Sequence, residues 1–122
     1  MATILIIDDE AHVRMLYEEE LTQLGHEVKS TDGGSDMVAL VGTVSPDLII
    51  LDIKLGGKSG LDVLQEIRAR HAEVPIILNT AYDSFRYDLK SIAADDYVVK
   101  SYDSSELLEK VRQLLVCKPT EP

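Results

Sequence analysis

Short runs of consecutive apolar residues alternate along the chain with longer segments whose apolar positions recur every three or four residues. The apolar runs cover residues 4–7, 48–51, 76–78 and 97–99. Continuous runs of this kind are typical of strands covered on both faces. A fifth run, residues 27–31, alternates in polarity and indicates a less buried edge strand. Helical periodicity is found in residues 13–24, 37–44, 61–67, 84–93 and 107–115.

Strands and helices in strict alternation predict a parallel sheet with helices on both faces. Right-handed crossovers leave few topologies for such a chain. We therefore predict an α/β fold, a doubly wound five-stranded parallel sheet of strand order 2-1-3-4-5 (the flavodoxin-like order), flanked by five helices. The length of 122 residues fits one domain. We assign it to residues 1–117 and regard residues 118–122 as a tail or the start of a linker.

Composition and charge narrow the classes of function. The chain is 45% hydrophobic and 28% charged, which is ordinary for a globular protein. No apolar run reaches the roughly 18 residues of a membrane span, so no membrane insertion is expected. The net charge of −10 argues against direct binding of nucleic acid, which requires clustered cations. The lone Cys117 cannot form an internal disulfide, and this suits a reducing cytoplasm.

Polar residues stand where the predicted strands end. In an open parallel sheet, ligands bind beyond the carboxyl ends of the strands, at the point where strand order reverses. The first strand is followed by Asp8 and Asp9, and the third by Asp52. The fourth ends in Thr80, and the fifth is followed by Lys100. These ends are the predicted location of the functional site.

The three aspartates are expected to converge, because strands 1 and 3 are neighbours in the predicted order. Carboxylates held close together raise each other's pKa and oppose folding. A hard divalent cation relieves that repulsion. Mg²⁺ suits the set formed by Asp8, Asp9 and Asp52, since it prefers oxygen ligands and keeps open positions for water and phosphate oxygens.

This arrangement is suited to phosphoryl transfer. A carboxylate oxygen of Asp52 can attack phosphorus as a nucleophile and form an aspartyl phosphate. The transfer depends on positioning and on neutralising charge at the phosphoryl oxygens. The ammonium of Lys100 and the hydroxyl of Thr80 offer donors to those oxygens.

Taken in order along the chain, these motifs resemble a known family. They are Asp8-Asp9 after the first strand, Asp52 after the third, Gly60 opening the third helix, Thr80-Ala81, and residues 94–100. Each motif alone is weakly specific, but the full series is highly specific. Over essentially its whole length the chain resembles a two-component response-regulator receiver domain of the chemotaxis type.

The resemblance implies an activity, a cofactor and a partner. In the family, the residue matching Asp52 is phosphorylated by a histidine kinase. Residues matching Asp8, Asp9 and Asp52 bind Mg²⁺ directly or through water, together with the backbone carbonyl matching Lys54. The domain would catalyse its own phosphorylation and dephosphorylation without being a turnover enzyme.

The resemblance also implies a switch. Thr80 and Lys100 match the pair that holds the phosphoryl group, and Tyr97 matches an aromatic switch residue. The surface formed by helix 4, strand 5 and helix 5 would then contact a downstream protein effector.

Three departures from the family pattern affect the expected backbone. Ser101 follows the lysine where proline is usual, so we expect a trans Lys100–Ser101 bond, since a cis bond there costs roughly 2.5–4 kcal/mol. Leu55-Gly56 replaces the usual Met-Pro pair. The stretch between Thr80 and Lys100 is shorter than usual, so helix 4 is expected to be short or shifted.

Two other classes of protein stay open on the residues alone. One is a binding module that keeps the fold and signals without phosphorylation, which the complete set of acidic, threonine and lysine residues disfavours. The other is an unrelated enzyme or flavin carrier on a similar sheet. No glycine-rich phosphate loop follows the first strand, and Asp8-Asp9 would repel a nucleotide phosphate there.

Overall fold

The structure, a computed structural model, describes residues 1–117, so the tail predicted for residues 118–122 lies outside the described residues. The strands are β1 (Thr3–Ile7), β2 (Glu27–Thr31), β3 (Leu48–Leu51), β4 (Lys54–Leu55), β5 (Lys58–Ser59), β6 (Ile76–Thr80) and β7 (Asp96–Val99). The α-helices are α1 (Ala11–Gln23), α2 (Met37–Val44), α3 (Gly60–Arg70) and α4 (Ser105–Cys117), and a short 3₁₀ helix spans Leu89–Ala93.

The main sheet has five parallel strands in the order β2-β1-β3-β6-β7. This is the predicted order, because the two-residue strands β4 and β5 form a separate antiparallel hairpin. In register, Ile7 lies beside Leu51, and Leu51 lies beside Leu78. The carboxyl ends of the central strands therefore meet at one edge of the sheet, as predicted.

Alternate side chains of the central strands enter two separate cores. Leu5 and Ile7 of β1 belong to a cluster with residues of α2 and α3, whereas Ile4 and Ile6 pack with residues of α1 and α4. All four β1 side chains are essentially inaccessible to solvent. Burial on both faces explains why the strand sequences read as continuous apolar runs.

The helix predicted over residues 84–93 is wrong in its extent and type. Only Leu89–Ala93 is helical, and it is a 3₁₀ helix. The segment lacks an apolar stripe that could be buried, since side chains such as Tyr87 point into solvent. Its backbone N–H groups bond three residues back, as from Ser91 to Asp88. Within the part of the chain that is described there are four α-helices, not five.

Across residues 1–117, none of the helices is both long enough and apolar enough to cross a bilayer.

Candidate functional site

Four carboxylates meet at the carboxyl edge of the sheet. Asp8, Asp9, Glu10 and Asp52 each place one carboxylate oxygen within 4.8 Å of the others. Asp8 and Asp52 are buried, and the other two are exposed. The pairing of β1 with β3 produces this arrangement, and the Asp52 N–H donates to the Ile7 carbonyl at 2.9 Å. The predicted convergence of Asp8, Asp9 and Asp52 is confirmed.

Hydrogen bonds from neighbouring residues fix the positions of Asp8 and Asp9, the two acids that follow β1. The Glu10 N–H donates to Asp8 Oδ1 at 2.9 Å, and Arg14 Nη1 donates to the Asp8 carbonyl at 2.6 Å. Asp9 Oδ2 accepts from the Gly56 N–H at 2.9 Å. Gly56 has a φ of +64°, a left-handed conformation that favours glycine, and it forms the turn between β4 and β5. The glycine that replaces the family's usual proline therefore lets the hairpin reach Asp9.

Lys100 is the cation that faces the cluster. Its Nζ lies 2.9 Å from Asp8 Oδ2, 3.0 Å from Asp52 Oδ2 and 3.2 Å from Glu10 Oε1. The Lys100 N–H donates to the Thr80 carbonyl at 2.7 Å, so the ends of β6 and β7 are tied where they carry the two predicted phosphoryl-holding residues.

Burial and charge oppose each other at this site. Burial raises the pKa of Asp52 above its ordinary value, although the hydrogen bond and charge of Lys100 act against that rise. Burial alone would lower the pKa of Lys100, but its bonds to Asp8 and Asp52 outweigh it and raise the pKa above the ordinary range. The lysine therefore stays charged at neutral pH and stabilises ionised Asp52.

A cleft of about 200 Å³ opens over Asp52. It is lined by Asp9, Glu10, Asp52, Lys54, Thr80, Ala81, Tyr82 and Lys100. Every predicted site residue except the buried Asp8 lines it. The structure therefore brings the predicted residues together around one small opening, of a size that admits a phosphoryl group.

Lys54 and Thr80 line the cleft from two different elements, β4 and β6. Lys54 is exposed on β4, and its Nζ lies 5.3 Å from the centre of the Tyr82 ring and 5.7 Å from that of Phe85. The Thr80 hydroxyl is buried and accepts a hydrogen bond from the Tyr82 N–H at 3.4 Å. The ammonium of Lys54 is thus engaged with aromatic rings rather than with the carboxylates.

Glu10 was not among the predicted site residues, yet it reaches Lys100. Its signal in the sequence is its place as the third acid in a row after β1. An exposed acid at a helix start is commonplace, and only the fold shows that this one meets a lysine 90 residues away.

Tyr97 occupies an inward position. Its ring is buried in the core cluster beside α3, and its hydroxyl donates to the Tyr82 carbonyl. The guanidinium of Arg86 lies 4.8 Å from the ring centre. The peptide bonds of residues 1–117 are all trans, which confirms the prediction for Lys100–Ser101.

A family-level comparison matches residues 4–112 to the response regulator receiver domain. The chain belongs to this family. The match covers nearly all of the receiver domain described above, from β1 into α4. The resemblance drawn from the strand-end motifs is therefore confirmed, and with it membership of the two-component signalling proteins.

Curated relatives of this receiver domain are longer proteins. The chain is 37% identical over 114 residues to the probable transcriptional regulator ycf27 of Porphyra purpurea, covering 92% of this chain and 46% of that protein. The ycf27 protein of Pyropia yezoensis matches with the same identity and coverage. The chain thus spans about half the length of the curated relatives it matches.

Solved structures share the fold closely. TrrA of Thermotoga maritima, in complex with Mg²⁺-BeF, is 46% identical with a TM-score of 0.88, over 93% of this chain and 99% of TrrA. The complex of TrrA with the histidine kinase ThkA gives a TM-score of 0.81 at 46% identity, over 94% and 99% of the two chains. The receiver domain of Klebsiella pneumoniae RstA is 28% identical, with a TM-score of 0.83 over 93% and 97%.

Proposed function

We propose that this receiver domain accepts a phosphoryl group on Asp52 from a histidine kinase and thereby switches its contact with a downstream protein. The observation that carries the proposal is the position of Asp52, buried at the base of the cleft with Lys100 at 3.0 Å and two further aspartates beside it. Its relative TrrA, which forms a complex with a histidine kinase, supports the choice of donor.

Mg²⁺ fits the donor set at this edge of the sheet. Four carboxylates face one lysine, so negative charge is in excess, and all the available ligands are hard oxygens of the kind Mg²⁺ prefers. Asp8, Asp9, Asp52 and the backbone carbonyl of Lys54 would hold the ion. When bound, it supplies positive charge to phosphoryl oxygens. TrrA, crystallised with Mg²⁺-BeF, supports this assignment.

The transfer itself is a substitution at phosphorus. A carboxylate oxygen of Asp52 forms the new O–P bond while the P–N bond to the kinase histidine breaks, and the electron pair returns to the imidazole. Lys100 and Thr80 donate to the phosphoryl oxygens as charge develops on them. In dephosphorylation, the oxygen of a water molecule attacks the same phosphorus, the O–P bond to Asp52 breaks, and inorganic phosphate leaves while the Asp52 carboxylate is regenerated.

The switch follows from Thr80 and Tyr97. A phosphoryl group on Asp52 would draw the Thr80 hydroxyl towards it and leave room that favours the inward position of the Tyr97 ring. Two packed positions of one ring form a bistable element that the phosphoryl group biases. The contact surface would comprise residues 81–94, β7 and α4. In residues 81–94, turns and a 3₁₀ helix replace the predicted fourth helix.

The partner on that surface would be a protein rather than nucleic acid, because the net charge of −10 repels phosphate backbones. The chain's single cysteine favours a reducing cytoplasm as the setting. The domain would catalyse only its own phosphorylation and dephosphorylation.

The proposal is tested by incubating the protein with acetyl phosphate, with and without Mg²⁺, and measuring intact mass. We expect one added phosphoryl group that depends on Mg²⁺ and is absent from Asp52→Asn, because an amide does not attack phosphorus. Equal uptake by the wild type and Asp52→Asn, or none by either, would overturn the assignment.

A further inference from the structure

A polar pair is buried in the otherwise apolar core between the sheet and helices α1 and α4. The Tyr17 hydroxyl donates to Asn79 Oδ1 at 2.8 Å, and Asn79 Nδ2 donates to the Val98 carbonyl at 3.0 Å. Tyr17 is 6% exposed and Asn79 is 1% exposed. Their neighbours in this core are aliphatic, such as Leu21 and Ile77.

Stability alone does not account for this pair. A buried hydrogen bond contributes little net free energy to folding. A protein in which both partners are replaced by apolar side chains of the same shape is often equally stable. The phenol keeps its proton as well, because burial raises the pKa of Tyr17 to about 12. The hydroxyl is therefore a permanent donor, and the pair is a fixed link between α1 and the sheet.

Asn79, the β6 member of this pair, lies one residue before the edge of the sheet that carries the site. Asn79 precedes Thr80 on β6 and is paired in register with Val98 of β7. The side-chain bond from Asn79 to Val98 therefore joins β6 and β7 just before the backbone bond from Lys100 to Thr80 joins the ends of the same two strands. Together the two bonds set the spacing of the ends of β6 and β7.

The Tyr17–Asn79 pair is closely packed. A cavity of about 10 Å³ borders Tyr17, Asn79 and Lys100, which is room for a single water molecule at most and not for another position of the ring. Helix α1, which carries Tyr17, also carries Arg14, whose side chain donates to the Asp8 carbonyl. Helix α1 thus contacts β6 through Tyr17 and the segment after β1 through Arg14.

We propose that Tyr17 and Asn79 are positioning residues, which hold the ends of β6 and β7 so that Thr80 and Lys100 meet the phosphoryl group on Asp52. This inference rests on the proposed function. Neither side chain touches the cleft, and both act through the strand ends that carry the groups lining it.

The test separates positioning from stability with an apolar replacement of both partners. Tyr17→Phe leaves Asn79 Oδ1 without its donor, and Asn79→Leu leaves both the Tyr17 hydroxyl and the Val98 carbonyl without a partner, so each single variant loses stability. The double variant Tyr17→Phe/Asn79→Leu is expected to regain most of that stability, because neither the buried hydroxyl nor the buried amide remains and only the Val98 carbonyl loses a donor. Urea denaturation measures this recovery.

Phosphorylation by acetyl phosphate at saturating Mg²⁺ gives the functional readout. The stable double variant is expected to lose about tenfold in maximal rate, since a small misplacement of reacting groups is costly, while its Mg²⁺ dissociation constant stays within about twofold of the wild type. Tyr17→Phe alone, which removes only the hydroxyl group, is expected to lose about threefold. Ile4→Val, in the same core cluster, is the control that lowers stability without a rate change. Wild-type rates in both the double variant and Tyr17→Phe would overturn the inference.

A second readout does not depend on phosphoryl chemistry. In the metal-free double variant, the Lys100 amide hydrogen is expected to exchange about tenfold faster or more than in the wild type, while the Ile50 amide in the central strand keeps its protection. Unchanged exchange at Lys100 would contradict the positioning role. Failure of the wild type to gain a phosphoryl group would instead contradict the proposed function, and the exchange result would still decide the inference.

Discussion

The ammonium of Lys100 lies 3.0 Å from Asp52 Oδ2, although the two residues follow strands that are not neighbours in the sheet. Strand β6 stands between β3 and β7, so the lysine stem crosses the end of β6 to reach the aspartate. The lysine that follows β7 therefore places its cation beside the Asp52 nucleophile, which follows β3. It also balances part of the charge that burial makes costly at Asp52.

The charge on Asp52 should reduce folding stability at neutral pH. Burial raises its folded pKa above the ordinary value of 3.8, so the stability linked to its protonated form is present at low pH and lost as pH rises through the folded pKa. Asp52→Asn is therefore expected to raise the free energy of unfolding of the metal-free protein at pH 7, with a gain that shrinks towards pH 3.8.

Asp103→Asn is the matched control for urea denaturation. Hydrogen bonds from Ser105 lower the pKa of Asp103, so its charge is favourable and its removal should give no gain at pH 7. A loss of stability in Asp52→Asn across the whole pH range would contradict the assigned balance of burial and charge.

Gly60 should be irreplaceable at the start of α3. A Cβ added there would lie 1.9 Å from the carbonyl oxygen of Asp52, so either the helix or the backbone of the nucleophile must move. Gly60→Ala is expected to cost about 3 kcal/mol of stability and to slow phosphorylation of Asp52. Gly57→Ala is the control, because nothing lies within 4 Å of its Cβ, and it should change stability by no more than about 0.5 kcal/mol. Equal denaturation midpoints for the two variants would refute this reading of the contact.

Tyr82 should slow the loss of the phosphoryl group. It lines the cleft beside Lys54, and the lysine ammonium stacks over its ring at 5.3 Å, so together they narrow the path of attacking water. Tyr82→Ala is expected to hasten dephosphorylation about threefold or more, since removing the ring admits water to the cleft. The measurement is decay of the labelled protein after removal of acetyl phosphate. Tyr87→Ala, an exposed tyrosine outside the cleft, should decay as the wild type does. Unchanged or slower decay in Tyr82→Ala would count against the idea.

Tyr97 should respond to a phosphoryl mimic. The structure shows its inward position, held by the hydroxyl bond to the Tyr82 carbonyl and by Arg86 over the ring. Binding of beryllofluoride with Mg²⁺ is expected to favour that position and to shift the ring resonances of Tyr97, while those of exposed Tyr102 stay unchanged. If the ring resonances of Tyr97 are the same with and without the mimic, the ring is not the switch.

Much of the fold could be predicted from the sequence, because each central strand is buried on both faces and therefore reads as an unbroken apolar run. The strand order then placed Asp8 beside Asp52 without any knowledge of side-chain geometry. The fourth helix, expected to be short or shifted, is reduced to a 3₁₀ helix over Leu89–Ala93, because the segment has too few buried apolar side chains to hold a longer helix. In the structure its side chains, such as Ile92, face solvent.

Other parts of the site depend on contacts that no local pattern contains. Tyr17 fits the helical periodicity of residues 13–24, yet its hydroxyl bonds an amide 62 residues away. The hairpin of β4 and β5 consists of two-residue strands, too short to give a period. The glycines between them allow the backbone many conformations, and only the structure shows that the Gly56 N–H bonds Asp9.

The most direct test of the central claim is to locate the phosphoryl group in the chain. After incubation with Mg²⁺ and acetyl phosphate, borohydride reduction converts an aspartyl phosphate to the corresponding alcohol, and peptide mass spectrometry identifies the residue that has changed. We expect the modification at Asp52 alone, with none in Asp52→Asn. Modification at Asp8, Asp9 or another acid in place of Asp52 would contradict the account.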